Sequence, residues 1–477
     1  FESCTDCHDS HTLEVKIEQC SECHTDVDSV ESLADIRMSG SQVDYDGDVN
    51  TSEGIAEEIE GLQDMLLVAM QAYSSEIAGT QIGYSTTAYP YFFNDLNANG
   101  QVDEDEANSD NSFASWTGRL LRAAYNYQTS LKDTGAFAHN PKYVIQLLHD
   151  SIADLNAVLA TPVDLSAAGR NDAGHFDGSA EAFRHWDEDG EVEPDCARCH
   201  SAEGLPTFIA YGVSISAEIS NGFTCSTCHD VENFPALYAA GETPFPSGAE
   251  ISFGEGNPSN LCISCHQGRA STASVNSATG ELGNDEVSAD LRFNNPHYFA
   301  AGATMFGTQA QGAYEYEGQT YAGASPHIEL GTTCATCHQV HTLTLPTEAS
   351  NVCHPGVDDV TDIRVTTTDT PEVDYAGDTD VTEGIANEIA TLEDALLVAI
   401  KEYALNVAGA SIGYDAHKYP YFFGDANANG ESDADEGAYT SWTPELIRAA
   451  YNYQWVQKDP GAFAHNGLYI IQVLVDS

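Results

Sequence analysis

The sequence is poor in basic residues. Lysine and arginine together number 16, whereas aspartate and glutamate number 75, and the formal net charge at pH 7 is -59. Such a surface repels phosphate groups, which excludes a sequence-independent affinity for nucleic acids. Cations are therefore the ions that we expect to surround the protein.

Long apolar runs are also missing. No uninterrupted apolar stretch approaches the roughly 18 residues that a membrane-spanning helix needs. The most apolar stretch, 395–410, is interrupted by Lys401 and Glu402. The sequence opens at Phe1 without the features of a signal peptide, so we expect that any targeting segment has been removed or lies outside it. These absences predict a soluble, processed protein with no membrane span.

Cysteine shows the most informative pattern. Twelve of the 13 cysteines form six pairs with two residues between them, and a histidine follows each pair directly. Two thiols one helical turn apart can add to the two vinyl groups of one haem, while the next residue directs its imidazole at the iron. Each motif therefore predicts one c-type haem. The thioether cysteines are Cys4, Cys7, Cys20, Cys23, Cys196, Cys199, Cys225, Cys228, Cys262, Cys265, Cys334 and Cys337, and the proximal iron ligands are His8, His24, His200, His229, His266 and His338.

Zinc and disulfide bonds are the two alternative uses of paired cysteines. Structural zinc needs two such pairs per ion and gives no reason for a histidine after every second cysteine. A disulfide framework suits small secreted domains and would not space its cysteines so uniformly. Both alternatives are therefore weaker than haem attachment.

The six motifs are the signature of multihaem c-type cytochromes, and the chain resembles the large polyhaem cytochromes of metal-reducing and sulfur-reducing bacteria. Segment 132–140, which contains His139, resembles a stretch that supplies a distal histidine in that group. The resemblance implies haem attachment outside the cytoplasm, an extracellular or cell-surface location with the periplasm as the alternative, and a role in electron transfer. Because haem replaces much of a side-chain core, we expect a multihaem cytochrome c fold that is mostly irregular, with a minority of α-helices, little β-structure and a core of stacked haems.

The sequence repeats itself after 330 residues. This shift places the motif that begins at Cys4 on the motif that begins at Cys334, and after a four-residue deletion segment 135–140 meets segment 461–466. Repeats bury their faces against neighbours, so we expect head-to-tail contact with other copies of the chain, or a longer tandem array; a plain monomer is the alternative. The modules are A (1–150, two haems and a calcium-like loop), B (151–330, three haems) and A′ (331–477, a repeat of A with two haems).

The repeat also reveals a seventh site. The cysteine and histidine of the second motif meet Cys353 and His354, whereas Ser350 stands where the first cysteine of that motif would be. We predict a haem held by a single thioether at Cys353, with His354 as the proximal ligand. A decayed site without haem is the alternative.

Ten further histidines remain for the open sides of seven irons. His11 and His139 recur in module A′ as His341 and His465, which marks all four as constrained by the duplication. Module B carries three haems and four further histidines, so one of these is surplus or serves a haem elsewhere. Histidine on both sides of the iron permits electron exchange and leaves no position for a substrate. The distal candidates are His11, His139, His175, His185, His297, His327, His341 and His465.

A loop rich in oxygen ligands occurs in both copies. Its spacing matches a calcium loop, in which a glycine makes the sharp turn and the last carboxylate binds through both oxygens. A solvated acidic turn is the alternative. A second acidic group, at Asp44, Asp48 and Glu53 in module A, fits no named loop. The calcium candidates are Asp95, Asn97, Asn99, Gln101 and Glu106 in module A, and Asp425, Asn427, Asn429, Glu431 and Glu436 in module A′.

Few regular elements are readable. Apolar residues at helical spacing predict helices over 55–70 and 385–400, and a second pair over 116–128 and 442–454. Alternation in 314–321 predicts a short hairpin.

These observations lead to one functional hypothesis and two alternatives. We predict an electron-transfer protein, not an enzyme, that conducts through about seven bis-histidine haems, as a subunit of an extracellular cytochrome filament. A monomeric periplasmic carrier is one alternative. A multihaem reductase of a small inorganic substrate is the other. The physiological redox partners are not readable from the sequence.

Overall fold

The computed structural model describes residues 3–21, 24, 26–37, 43–171, 181–297, 299–341, 343–345, 353–357, 359–364, 373–434 and 436–477. Two residues of the predicted haem sites lie outside the described residues: Cys23, a thioether cysteine, and His175, a distal candidate. Among the described helices, none has the length and hydropathy that crossing a membrane requires. The chain divides into two compact units, Phe1–Ala180 with His341–Leu343, and Glu181–Val340 with Thr344–Ser477. This division does not test the three modules, which describe the sequence repeat.

Unit 1 is organised around three long helices. Helix α3 packs against α6 and α4, and it buries an apolar stripe that includes Ile59, Leu62 and Leu66. The predicted helices over 55–70 and 116–128 are therefore confirmed, the second with a start two residues later. The helices are α1 (Cys4–Cys7), α2 (Ile17–Ser21), α3 (Ile55–Tyr73), α4 (Gly118–Lys132), α5 (Ala136–His139) and α6 (Pro141–Asn156), and the strands are β1 (Ile82–Tyr84) and β2 (Phe92–Asn94).

Local chemistry sets the ends of these helices. Gly54 precedes α3, and a Cβ atom there would lie 1.8 Å from the carbonyl oxygen of Ala34, so only glycine permits this approach. Thr117 caps α4 by accepting the backbone N–H of Leu120. Pro141 occupies the first turn of α6, where a missing N–H costs nothing.

Unit 2 contains most of module B and most of module A′. The helices of A′ repeat those of unit 1 and confirm the predictions over 385–400 and 442–454. Its helices are α7 (Glu181–Arg184), α8 (Pro194–His200), α9 (Gly204–Tyr211), α10 (Cys225–Cys228), α11 (Ser259–Ile263), α12 (Thr272–Thr279), α13 (Ala301–Phe306), α14 (Pro326–Glu329), α15 (Cys334–Cys337), α16 (Ile385–Tyr403), α17 (Pro444–Gln457) and α18 (Ala462–Asp476), and its strands are β3 (Glu191–Val192), β4 (Ala217–Glu218), β5 (Thr243–Pro244), β6 (Glu250–Ile251), β7 (Ile412–Tyr414) and β8 (Phe422–Gly424).

Strand structure is scarce, as the sequence predicts. In the described ranges the strands form two-stranded antiparallel sheets, β1 with β2, β3 with β4, β5 with β6 and β7 with β8. The predicted hairpin over 314–321 is wrong, because these residues form turns and no strand. The backbone N–H of Tyr314 instead donates to the side chain of Asn452 on α17.

Each unit has a core of side chains. In unit 2 the largest fully buried side chains include Trp442, Trp455, Tyr451 and Tyr469. The prediction of a mostly irregular chain with few strands agrees with this architecture, although the long helices supply real side-chain cores. A core of stacked haems stays a prediction.

Candidate haem sites

The Cys-x-x-Cys-His motifs fold as single helical turns. In α1, α10 and α15 the two cysteines occupy the first and last positions of a four-residue helix. Residues three apart lie on the same side of a helix, so both thiols of a motif point the same way. The following His8, His229 and His338 leave the helix in an extended conformation, and each donates its backbone N–H to the first cysteine's carbonyl oxygen at 2.9 Å.

The other motifs use the same turn. Cys196, Cys199 and His200 lie in the last two turns of α8. His266 donates its backbone N–H to Cys262 at 3.0 Å, just after α11. His24 donates to Cys20 at 2.8 Å. Every described motif therefore holds its histidine close to its first cysteine.

Backbone carbonyls hold the imidazole rings of the motifs. A carbonyl oxygen can only accept, so the Nδ1 atom beside it must donate, and Nε2 keeps its lone pair for a metal. An acceptor on Nδ1 also fixes the ring orientation, as is usual for metal-binding histidines. The Nδ1 atoms lie 3.1 Å from Leu13 O in His8, 3.1 Å from Ala182 O in His200, 2.9 Å from Pro235 O in His229 and 2.8 Å from Phe299 O in His266.

Four motif histidines face a second histidine. Two imidazoles that bind one metal from opposite sides have ring centres about 6 Å apart, since each metal–nitrogen bond is about 2 Å and each ring centre lies about 1 Å further out. The observed separations match this value. The ring centres are 6.2 Å apart for His8 and His139, 5.9 Å for His200 and His297, 6.3 Å for His338 and His465, and 6.4 Å for His354 and His327.

The distal histidines are themselves held by hydrogen bonds. Nδ1 of His139 lies 2.7 Å from the Asp133 carboxylate, and Nδ1 of His465 lies 2.8 Å from that of Asp459. The two contacts are repeat equivalents. Nδ1 of His327 lies 3.0 Å from the carbonyl oxygen of Ala464, the residue next to His465. One turn of chain therefore orients the distal histidines of two sites.

Burial keeps the histidines of one site neutral. It lowers the pKa of His200, and it lowers the pKa of His297 to about 4, with the charge of Arg269 adding to the effect. Burial also lowers the pKa of His266. Neutral imidazole is the form that binds a metal, so these rings need lose no proton before they coordinate.

Three further candidates lie at the surface. His185 is exposed and contacts the Glu181 carboxylate through Nδ1 at 2.8 Å. His11 and His341 are exposed in turns after α1 and α15. In the described part of the chain, neither His11 nor His185 makes a ring contact with a motif histidine. Their assignment as distal ligands stays a prediction.

The motifs of unit 2 lie close together. The thiol of Cys199 is a neighbour of that of Cys265, and the thiol of Cys262 is a neighbour of that of Cys334. Ser259 on α11 accepts the backbone N–H of Cys334 at 3.0 Å. Three motifs that are distant in sequence are therefore neighbours in space.

The thiol chemistry of the described cysteines fits haem better than its alternatives. All of them, including the exposed Cys353, are free thiols, so no described cysteine belongs to a disulfide framework. Groups of side chains that could hold a metal ion contain only carboxylates in the described residues, so no zinc cluster of cysteines is formed. Paired thiols on one side, a histidine with an available Nε2, and a second histidine opposite are the donors that haem c requires.

The two calcium-like loops have the same conformation. The buried Asp95 accepts the backbone N–H groups of Asn99 at 3.2 Å and Gly100 at 2.7 Å. Gly100 has a φ of 83°, which glycine adopts without strain. The buried Glu106 closes the loop by accepting the N–H of Leu96 at 2.8 Å.

In module A′ the same bonds recur. Asp425 accepts from Asn429 and Gly430 at 3.0 Å each, and Glu436 accepts from Ala426 at 2.8 Å. The remaining candidates in both loops are exposed, and Asn97, Asn99, Asn427 and Asn429 bond to other loop residues. Gln101 and Glu431 occupy exposed positions next to the turn. Calcium binding stays a prediction.

Sequence reasoning missed a buried ion pair beside the second acidic group. Glu58 is fully buried and pairs with Arg37 at 2.5 Å, and Glu388 pairs with Arg364 in the same way at 2.6 Å in A′. The sequence does contain an indication of this ion pair, because both the arginine and the glutamate recur in the other copy of the repeat.

The second acidic group also includes Asp46, which the sequence did not single out. The carboxylates of Asp44, Asp46 and Asp48 lie close together, and those of Asp46, Glu53 and Glu58 do so as well. Burial, followed by the neighbouring carboxylates, raises the pKa of Asp46 to about 6 and that of Glu53 to about 7.

Comparison with known proteins points to the same cofactor. No protein-family model and no solved structure matches the chain. The C-type polyheme cytochrome OmcC of Geobacter sulfurreducens is 28% identical over 421 residues, covering 75% of this chain and 51% of OmcC. The C-type polyheme cytochrome OmcB of the same species is 28% identical over 362 residues, covering 63% of this chain and 46% of OmcB. The chain thus spans about half the length of the curated relatives it matches. The motifs and these relatives together support a multihaem c-type cytochrome.

Proposed function

We propose that the chain transfers electrons through seven haem c groups, most of them held between two histidines. Haem c supplies an iron that gains and loses one electron. The observation that carries the proposal is the set of four histidine pairs with ring centres 5.9–6.4 Å apart. A spacing that suits one intervening metal recurs in both units, in sites far apart in sequence.

The cysteines and the two histidines of each proposed site have different roles. The two thiols of a motif anchor one edge of the haem, and the motif histidine directs Nε2 toward the iron from a ring fixed through Nδ1. The second histidine would hold the iron from the other side. A haem held in this way would offer a substrate no position on the iron, which favours electron transfer over reduction of a small molecule.

The seventh site is proposed at Cys353. Its neighbour His354 faces His327, which module B supplies. We therefore assign His327 as the distal ligand of this site in A′, which leaves His175, His185 and His297 as distal candidates for the three haems of B. A decayed site would have no reason to keep a second histidine at this spacing.

Location and assembly are proposed together. Haem attachment through paired thiols takes place outside the cytoplasm in proteins of the resembling group, so we place the chain at the cell surface or outside the cell. The net charge of -59 would keep such a protein dispersed. We expect copies of the chain to contact one another in an extracellular filament. A monomeric periplasmic carrier is the alternative.

Calcium is proposed as a structural ion in the loops that begin at Asp95 and Asp425. In each loop the side-chain oxygens of one aspartate and two asparagines accept backbone N–H groups around a glycine turn. Oxygen donors are the ligands that calcium prefers. The recurrence of the same bonds in both copies supports this assignment.

Mass spectrometry and optical spectroscopy of the purified holoprotein test the proposal. We expect seven haem increments on the denatured chain and a spectrum of low-spin iron that does not change with cyanide. A colourless chain, or iron that is five-coordinate throughout, would refute the proposed function. One high-spin haem that binds cyanide and turns over nitrite or hydroxylamine would favour a reductase instead.

A further inference from the structure

The two copies of the repeat carry the same face on their last two long helices. The offset that aligns segment 135–140 with 461–466 relates the two faces, and four of their five positions hold the same residue. The A face consists of Leu121, Arg122, Tyr125, Asn126 and Tyr143 on α4 and α6, and the A′ face consists of Ile447, Arg448, Tyr451, Asn452 and Tyr469 on α17 and α18.

Module B covers four of the five side chains of the A′ face. Ile447, Tyr451, Asn452 and Tyr469 are each 0% exposed. The cover is the segment 307–323, which we call the cover segment. Tyr451 donates its hydroxyl to Gly312 O at 2.8 Å.

Both backbone polar groups of Tyr314, one of three tyrosines in the cover segment, are hydrogen-bonded to one side chain of the A′ face. Asn452 accepts the Tyr314 N–H at 2.6 Å and donates to the Tyr314 carbonyl at 2.9 Å. The Arg448 guanidinium lies 5.4 Å from the centre of the Tyr314 ring. Tyr469 donates its hydroxyl to the next residue, Glu315, at 3.1 Å. Side chains of the A′ face thus bind a short peptide segment in which a glutamate follows a tyrosine.

The A face offers the same groups, and among the described residues of unit 1 no segment covers them in this way. Leu121, Tyr125 and Tyr143 are 54%, 73% and 55% exposed. A shallow groove is lined by Leu121, Arg122, Tyr125 and Asn126. Clustered exposed apolar residues around a polar grip are typical of interaction sites on soluble proteins.

The helices that carry the two faces are built alike. Asn126 donates to the Ser151 hydroxyl at 2.9 Å, and Asn452 donates to the Ser477 hydroxyl at 2.9 Å. The asparagine of the A face is therefore already oriented as it is in A′, with its remaining hydrogen-bonding capacity at the groove.

One substitution alters what the A face can accept. Trp455 fills the space beside Gly312, where a Cβ atom would lie 2.4 Å from the tryptophan ring. The equivalent residue in module A is Thr129, which is much smaller. A ligand of the A face consequently does not need glycine at the position before its Ala-Tyr-Glu sequence.

We propose that the A face binds a partner polypeptide through an extended segment of the cover-segment type, in which a tyrosine precedes a glutamate. The tyrosine backbone pairs with Asn126 and its ring lies beside Arg122. The glutamate accepts the hydroxyl of Tyr143, and Tyr125 donates to a carbonyl of the partner. All of these contacts are made by the polypeptide, so binding at the A face is independent of the haem assignment.

The probe for this proposal is a synthetic peptide with the sequence of residues 301–324, titrated into the haem-loaded full chain. We expect saturable one-to-one binding by calorimetry, with at least a tenfold loss of affinity in Tyr125→Ala. The control is Tyr211→Ala, because Tyr211 is 76% exposed and lies outside both faces. A peptide in which alanine replaces its tyrosine at position 314 should not bind.

Each outcome decides the proposal. Hydrogen exchange should slow in 118–128 when the peptide is added, and unchanged circular dichroism and haem content would show that Tyr125→Ala is folded. The absence of saturable binding, or binding that Tyr125→Ala and Tyr211→Ala leave equal to wild type, overturns it. Sedimentation that reveals self-association dependent on Tyr125 also overturns it, since the occupant would then be a second copy of the chain.

Discussion

Replacing Asp459 by asparagine should raise the reduction potential of one haem. The Asp459 carboxylate is 1% exposed and lies 2.8 Å from Nδ1 of His465, whose ring faces His338. Its negative charge stabilises the oxidised iron through the imidazole, and asparagine keeps a hydrogen-bond acceptor while removing the charge. The potential should therefore rise and the ring orientation should persist.

The size of the shift follows from distance and burial. A hydrogen bond, the width of the imidazole ring and one metal bond together place the charge about 7 Å from the iron, and at an effective dielectric constant of about 20 a unit charge there contributes about 2.4 kcal/mol. Since about 1.4 kcal/mol corresponds to about 59 mV for one electron, the expected rise is about 100 mV.

The matched variant is Asp133→Asn in module A. The Asp133 carboxylate makes the same contact with His139 but is 39% exposed. Water screens it more strongly, so its removal should raise the potential of its own haem by only about 30 mV. Optical redox titration measures both variants, each affecting about one-seventh of the absorbance change. Equal shifts in the two variants, or a fall in either potential, would refute the reasoning.

Four further predictions concern attachment and stability. Cys353→Ala should lower the mass of the denatured holoprotein by one haem increment. Arg37→Met leaves Glu58 buried without its partner and should lower the free energy of unfolding by about 3–5 kcal/mol in chemical denaturation. Chelation of calcium should lower the melting temperature, and Asp95→Ala should remove part of that effect; a site filled at 100 times its Kd contributes about 2.7 kcal/mol. Burial raises the pKa of Glu393 to about 7. The folded chain therefore holds a proton that the unfolded chain has released above pH 4.5, the unfolding free energy falls as pH rises toward 7, and Glu393→Gln should remove that dependence.

Controls are available within the repeat. Gln63 stands in module A where Glu393 stands in A′, so Glu393→Gln installs a residue that the fold already accepts. An unchanged pH profile in that variant would exclude Glu393 as the source. A mass unaffected by Cys353→Ala would mean that no thioether forms there. A melting temperature indifferent to chelator would leave the loop at Asp95 as a solvated turn, and an unfolding free energy unaltered by Arg37→Met would show that Glu58 finds another partner.

The sequence predicted the elements that local spacing determines. The long helices and the motif turns follow from patterns of a few residues, and the duplication by itself marks His139 and His465 as constrained. The repeat also pointed to the loops around Asp95 and Asp425. These features depend on residues that are close in sequence or recur at a fixed offset.

Pairing between distant residues was not predictable in this way. The sequence left four histidines of module B unranked, whereas the structure sets His297 opposite His200 and His327 opposite His354. The failed hairpin has the same origin. The backbone of Tyr314 is satisfied by Asn452, 138 residues away, so local alternation carried no information about it.

The turn at Ala464 and His465 has a mechanical consequence. The carbonyl oxygen of Ala464 orients His327, and the side chain of His465 faces His338, so a single peptide unit contacts two of the histidine pairs. A small rotation of that unit would tilt both imidazoles together. In the proposed haem arrangement, a change in this turn would therefore shift the reduction potentials of two haems together and not of one alone.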